Sequence, residues 1–228
     1  MLINDVYIGI KSVLEKYDRG YVTPSEFNKA ARYAQTKIIR EAITDLDKYK
    51  NRKKKGLSNK DYADKAKEIR AILDKLYKKS PLNFDTDHFD YPSDFYFEDM
   101  LEYNSREIEE GTVRDARDLS NIGLLGIEET FPIYISHSNY IEVIPDTIIS
   151  GVDMWYYREA NDPVWAYTGN PPVFDDANST DFELPTMLYS EIIREMLIFL
   201  GIQLKDYEVV QIFSQQENQT ENQNYQIQ

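Results

Sequence analysis

Asp85, Asp87, His88 and Asp90 lie within one short stretch and are of the types that ligate a divalent cation. An EF-hand spreads its oxygen ligands over a longer loop, with a central Gly and a closing Glu, and that pattern is absent. The stretch therefore reads as a solvated acidic loop, with metal binding the weaker alternative. His88 and His137 are the only two histidines. A nucleophile triad would need one of them buried beside a hydroxyl and an acid. His137 sits between Ser136 and Ser138 in what reads as a hairpin loop, which points to a loop histidine. The 40 acids offer many pairs that could cleave a glycosidic bond, so such pairing carries almost no specificity. No Gly-rich phosphate loop and no G-x-S-x-G elbow is present. The chain lacks cysteine, which excludes disulfides and thiolate metal sites. These residues predict no enzyme and no cofactor.

The elements that would position any site centre on residues 131–168, which predict a small sheet. Phe131–Ser136, Asn139–Pro145 and Val152–Arg158 are rich in β-branched and aromatic residues and are bounded by Ser, Asn, Pro and Gly. The short His137–Asn139 link suits a hairpin. Ile141 and Val143 alternate with Glu142 and Ile144, as on a strand with one face more buried. Trp155 and Trp165 both fall in this region. Tyr and Trp clusters could stack sugars or bases, but more often they form core and subunit contacts.

Helical periods flank the sheet. Ile3, Val6, Ile10, Val13, Leu14 and Tyr17 recur at helical spacing, and Gly20 would end that helix. Thr23-Pro24-Ser25-Glu26 predicts a second start, with Thr23 as N-cap and Glu26 closing a capping box. Phe27, Ala30, Ala31, Ala34, Ile38, Ala42 and Leu46 form its apolar stripe, and the alanines permit close helix approach. Ser58 or Asn59 would cap a third helix running through Tyr62, Ala66, Ile69, Leu73, Leu76 and Tyr77, stopped by Pro81. The second and third helices would form a hairpin. Phe84–Glu110 is aromatic and acidic, and Val113–Leu125 is weakly helical. Thr186 would cap a helix to Leu200 closed by Gly201, and a short helix is expected at Asp206–Gln215. Ser214–Gln228 is rich in Gln and Asn, a composition that stays disordered in isolation.

The predicted fold class is α+β: a helical bundle from the N- and C-terminal segments with a small antiparallel sheet. The expected segments are 1–80 (helices with a basic hairpin), 81–130 (an aromatic, acidic linker), 131–168 (the sheet), 169–213 (C-terminal helices on the N-terminal ones) and 214–228 (the tail).

The formal charge is −14, unevenly spread. Lys48–Lys79 carries 13 Lys/Arg against four acids, a local +9. Such a segment on an acidic body could serve head-to-tail contact between identical subunits, or could be a wet Lys-rich face. Nonspecific duplex binding by the acidic body is disfavoured. No apolar run reaches the length of a membrane span, and the N-terminus lacks a signal-peptide core. A soluble, unsecreted protein with no membrane partner is expected.

Three stretches together resemble a family. The first is Gly20-Tyr21-Val22-Thr23-Pro24-Ser25-Glu26-Phe27-Asn28 with the Ala- and Gln-containing helix after it. The second is Pro132-Ile133-Tyr134, then Ile141–Pro145, Tyr156-Tyr157-Arg158 and Pro163-Val164-Trp165. The third is Leu184-Pro185 leading into Tyr189–Ile193, then Gly201-Ile202 and the Gln-rich tail. In order and spacing the chain resembles the head-to-tail connector (neck or adaptor) ring proteins of tailed bacteriophages, most closely those of crAss-like podoviruses. The resemblance spans Val6 to Gln216, with Lys48–Lys79 and Phe84–Leu125 matching less well. It implies a structural virion protein without enzymatic role, made in the host cytoplasm. Such proteins form a ring, typically a dodecamer, that joins portal and tail and leaves a channel for the genome. The implied partners are further copies of the chain, the portal protein and neighbouring neck or tail proteins, with DNA only passing through. Candidate interface residues are Arg52, Lys53, Lys54, Lys55, Tyr156, Tyr157, Arg158, Trp165, Gln215 and Gln216. The alternatives are another virion interaction or tail-completion protein, or an acid-pair or metal-dependent hydrolase.

Overall fold

The computed structural model describes residues 2–16, 21–54, 67, 69–120 and 128–203. The chain divides into two compact units. Met1–Lys75 with Ala160–Gln228 form the first, and Leu76–Glu159, inserted between those segments, form the second.

In the first unit, α1 spans Ile3–Lys16 and α2 spans Pro24–Lys54. The Thr23 capping box forms as the sequence predicts. The Thr23 N–H donates to Glu26 Oε2 at 3.0 Å, and the Glu26 N–H donates back to Thr23 Oγ1 at 3.3 Å. These bonds hold the Glu26 carboxyl below its ordinary range. They satisfy donors that a helix start leaves orphaned. The apolar stripe of α2 is buried along Phe27, Ala30, Ala31, Ala34, Ile38, Ala42 and Leu46. A single 3-10 turn, Thr186–Leu188, leads into a C-terminal helix, Tyr189–Gln203, which packs on both α1 and α2. Gly9 of α1 faces this helix. A Cβ at Gly9 would lie 2.5 Å from Tyr189 Oη and 3.0 Å from Ile193 Cδ1, so a larger residue there would push those two side-chain ends aside. The helix differs from expectation at both ends. Thr186 lies inside the 3-10 turn and no side chain caps that turn, whose flanking residue is the extended Pro185. Gly201 does not stop the helix, which continues to Gln203.

The second unit is an eight-stranded mixed sheet. Its strands are β1 (Tyr77–Pro81), β2 (Asn83–Asp85), β3 (His88–Asp90), β4 (Phe95–Tyr103), β5 (Arg106–Glu110), β6 (Ile133–Ser136), β7 (Tyr140–Ile144) and β8 (Val152–Arg158). Their order is β1-β8-β4-β5-β6-β7-β3-β2. Only the β5–β6 pair is parallel. β1 and β2 stand at opposite ends of this order, yet only Leu82 separates them in the chain. The sheet therefore curls until its ends approach at Leu82, whose N–H donates to Val152 O at 2.9 Å. The curl encloses Leu82, Phe89, Leu101, Ile108, Tyr134, Ile141, Val143, Val152, Met154 and Tyr156. Burying such side chains contributes roughly 1.5–3 kcal/mol each before entropy is counted. α3 (Val113–Ser120) starts at a second capping box, Thr112 with Asp115. On the outer face, Ala116 packs with Ile133 and Ile135, and Ile144 joins them. The C-terminal helix of the first unit is α4.

This architecture corrects the expected fold class. The sheet is not small, not confined to 131–168 and not wholly antiparallel. It begins at Tyr77, and the stretch expected as linker supplies β2 to β5. The expected third helix also ends early. Residues 69–73 are helical, Asp74–Leu76 form a 3-10 turn, and Tyr77 already pairs with Tyr157. Pro81 closes a strand, at a sheet edge where its missing N–H costs no ladder bond. Ser58, Asn59, Gly20, the expected helix at Asp206–Gln215 and the tail Ser214–Gln228 lie outside the described residues.

Candidate interaction surfaces

In the first unit, α2 grips the loop that follows Ala160. Asn28, Arg32 and Gln35 lie on one face of α2 at helical spacing. The Asn28 side chain pairs with the Trp165 backbone: the Trp165 N–H donates to Asn28 Oδ1 at 2.8 Å, and Asn28 Nδ2 donates to Trp165 O at 3.3 Å. Gln35, buried, donates to Asn161 O at 2.8 Å and accepts from the Glu183 N–H at 3.0 Å. Glu183 in turn accepts from the Asn161 N–H and from Asn161 Nδ2, both at 3.0 Å. Arg32 pairs with Asp162 at 3.1 Å. Two side-chain amides thus satisfy irregular backbone that has no strand or helix partner there. The Trp165 ring is buried, stacks on Tyr7 at 4.0 Å and donates to Asn4 Oδ1 at 3.1 Å. Burial pushes the Tyr7 hydroxyl up to about 12, helped by its bond to Tyr21. Deeper still, Glu195 of α4 is buried against Lys37 of α2 at 2.8 Å and Arg194 at 3.2 Å.

The second unit presents a different surface. Alternation along β8 sends Val152, Met154 and Tyr156 inward and Asp153, Trp155 and Tyr157 outward. On the outer face, Lys79 of β1 reaches Glu102 and Asp153, both at 3.0 Å, and lies 5.2 Å over the Trp155 ring. Trp155 Nε1 donates to Glu102 at 2.9 Å. Those two donors hold the Glu102 carboxyl low, and the paired acids raise Lys79. Tyr77 stacks on Trp155 at 5.5 Å and tilts against Tyr157 at 5.1 Å. Below this face Tyr156 donates to Asp94 at 2.7 Å, and Lys78 bonds the same carboxylate. Desolvation carries the Tyr156 hydroxyl up to about 12, and the Lys78 and Tyr156 bonds hold Asp94 low.

Two further clusters hold titratable groups. Tyr134 and Ser136 both donate to Glu98, whose carboxyl is raised by burial, with Glu110 adding repulsion. Burial also raises Tyr134. At β3 and β7, His88 and His137 each lie against the Tyr140 ring, at 4.6 and 4.4 Å. His88 Nδ1 bonds Asp87 at 2.7 Å and its Nε2 is 3.5 Å from Asp90, while His137 is 3.3 Å from Glu142. The Asp87 bond raises His88, with Asp90 and Asp85 adding to it. His137 has no nucleophile–base geometry with its serines here; its ring is a stacking partner. Among the described residues, no group of three or more His, Cys, Asp or Glu is placed to hold a metal ion.

The candidate interface residues do not form one site. Arg52, Lys53 and Lys54 occupy the last turn of α2. Tyr156 belongs to the sheet core, Tyr157 lies buried on the outer face, and half-buried Arg158 ends β8 and donates to Glu159 O at 2.9 Å. Trp165 belongs to the first unit. Lys55, Gln215 and Gln216 lie outside the described residues. Sequence reasoning missed Lys79, Glu102 and Gln35 as organising residues. The signal for Gln35 was its place seven residues after Asn28 on α2, beside Ala31 and Ala34 of the apolar stripe.

No protein-family model matches the chain, and no curated protein does. No described helix is long and apolar enough to cross a membrane.

Proposed function

We propose that this chain is a structural subunit of the head-to-tail connector ring of a tailed bacteriophage, located in the virion neck between portal and tail, and without enzymatic role. The observation that carries this reading is that the first and third stretches of the resemblance, with the Pro163–Trp165 end of the second, share one unit. The α2 start and its Gln-containing helix, the Pro163–Trp165 loop and the Leu184-Pro185 entry to α4 all belong to one unit. Asn28 and Gln35 tie the first of these to the loop by paired hydrogen bonds. The rest of the second stretch, Pro132–Tyr134, Ile141–Pro145 and Tyr156–Arg158, belongs to the sheet unit.

Charge supports the same reading. Leu76–Glu159 carries 18 Asp/Glu and six Lys/Arg, a net of −12. A wall of that sign repels phosphate and lets DNA pass without sticking. Copies of the chain form the ring, with the portal and the next neck protein as neighbours. Negative-stain microscopy of the purified protein, alone and with a cognate portal, tests this. Rings, alone or stacked on the portal, are expected; a monomer indifferent to the portal would overturn the reading.

A further inference from the structure

Strand register lines up carboxylates on the outer face of β8, β4 and β5. Asp153 stands opposite Glu102, and Glu102 stands opposite Glu107. Such neighbours have Cβ atoms about 4.5–5.5 Å apart, where like charges repel. Lys79 bridges only the first two. Glu107 and, two residues on, Glu109 are exposed and have no ion-pair partner among the described residues. Interspersed signs would keep this face soluble without the repulsion. A row of one sign calls for positive charge from outside the unit, which is itself at −12.

The chain carries a matching group. Lys50, Arg52, Lys53 and Lys54 fall in the last two turns of α2 with no acid among residues 48–54, while Lys48 beside them pairs with Asp45 at 3.0 Å. We propose that the carboxylate row Asp153–Glu102–Glu107, with Glu109, receives the basic C-terminal end of α2 from a second copy of the chain. This deepens the ring reading and rests on it. The contact is heterologous: one surface of each copy meets a different surface of the next. Repeated, it closes into a ring where the rotation allows. Its strength falls with ionic strength, because Glu107 and Glu109 are solvent-exposed.

Charge exchange tests the pairing. One variant carries Lys50→Glu, Arg52→Glu and Lys53→Glu; the other carries Glu107→Lys and Glu109→Lys. Sedimentation velocity is run on wild type, each variant and their equimolar mixture, from 50 to about 500 mM NaCl, a span over which screening becomes strong. Wild type is expected to associate at low salt and dissociate at high salt. Each variant alone is expected to associate about tenfold more weakly or worse. The mixture is expected to recover association, since each reversed surface then meets its complement. The substitutions at Glu107 and Glu109 fall on exposed positions with no ion-pair partner among the described residues, and an unchanged melting temperature confirms folding. A Glu107/Glu109 variant that assembles like wild type, a mixture that stays monomeric, or wild type that is monomeric at 50 mM NaCl would each overturn the contact. Portal binding separates the two failures. If wild type still joins the portal, only this contact is wrong; if it does not, the connector reading falls as well.

Discussion

The two units handle charge in opposite ways. The unit Leu76–Glu159 holds −12 of the chain's −14, which leaves −2 for the larger one. In the larger unit, the most desolvated carboxylate is matched: Glu195 meets Lys37 and Arg194. In the sheet unit, carboxylates face carboxylates across strands, and Lys79 is shared by two of them. A matched buried pair fixes how elements pack. An unmatched exposed row contributes little to its own fold and is available to a partner. In the proposed ring, the first unit serves as scaffold and the outer sheet face as contact surface.

That comparison can be broken by removing charge from each side. The largest effect is expected for Glu195→Ala. It leaves Lys37 with Glu41 at 3.9 Å and Arg194 with Glu191 at 4.0 Å, and should cost about 3 kcal/mol, the low end for a broken buried pair because both cations are partly exposed. Denaturant unfolding followed by Trp165 fluorescence, in a Trp155→Phe background, reads it. A loss below about 1 kcal/mol, the range of an exposed pair, would mean that the pair is solvated. Next is Gln35→Ala, which orphans the Glu183 N–H and Asn161 O and should cost about 1–3 kcal/mol by the same measurement. Glu107→Gln should act in the opposite direction. Relieving the Glu102–Glu107 repulsion should stabilise slightly, within the roughly 0.5 kcal/mol that surface substitutions reach. Destabilisation by Glu107→Gln would show that the row is matched after all.

The smallest effect concerns pH. The folded state raises His88 through Asp87. Its stabilisation is therefore complete below the unfolded value, about 6.5, and is lost as pH rises through the higher folded value. Trp155 fluorescence, in a Trp165→Phe background, should report a lower melting temperature at pH 8 than at pH 6. His88→Gln should shrink that difference. An equal difference in the variant would assign the pH dependence elsewhere, with Glu98 next, since burial raises it as well and it too favours the lower pH.

Legibility followed the same division. The helices of the first unit were readable because their signals are local: the Thr23 box, the alanine stripe and the period of α1. Much of the sheet was not. Ile72, Leu73 and Leu76 are buried at helical spacing, and no Gly or Pro separates them from the strand that begins at Tyr77. β1 shows no apolar alternation, because four of its five residues are exposed, and its partner β8 lies some 75 residues away. In β4, two register shifts break the two-residue period, so Phe95–Tyr103 did not read as a strand. The β6–β7 hairpin was readable because its turn is short and Ile141 and Val143 alternate cleanly into the core. Of the candidate surface, the acidity was visible in composition. The row was not, because it exists only once three strands from separate stretches are in register.

The most direct test of the ring assignment is mass photometry of the purified chain, alone and with a cognate portal. The account predicts a single large species at a fixed multiple of the 26.8 kDa chain mass, present alone at low salt or on the portal. Particles of one chain mass under every condition would contradict it.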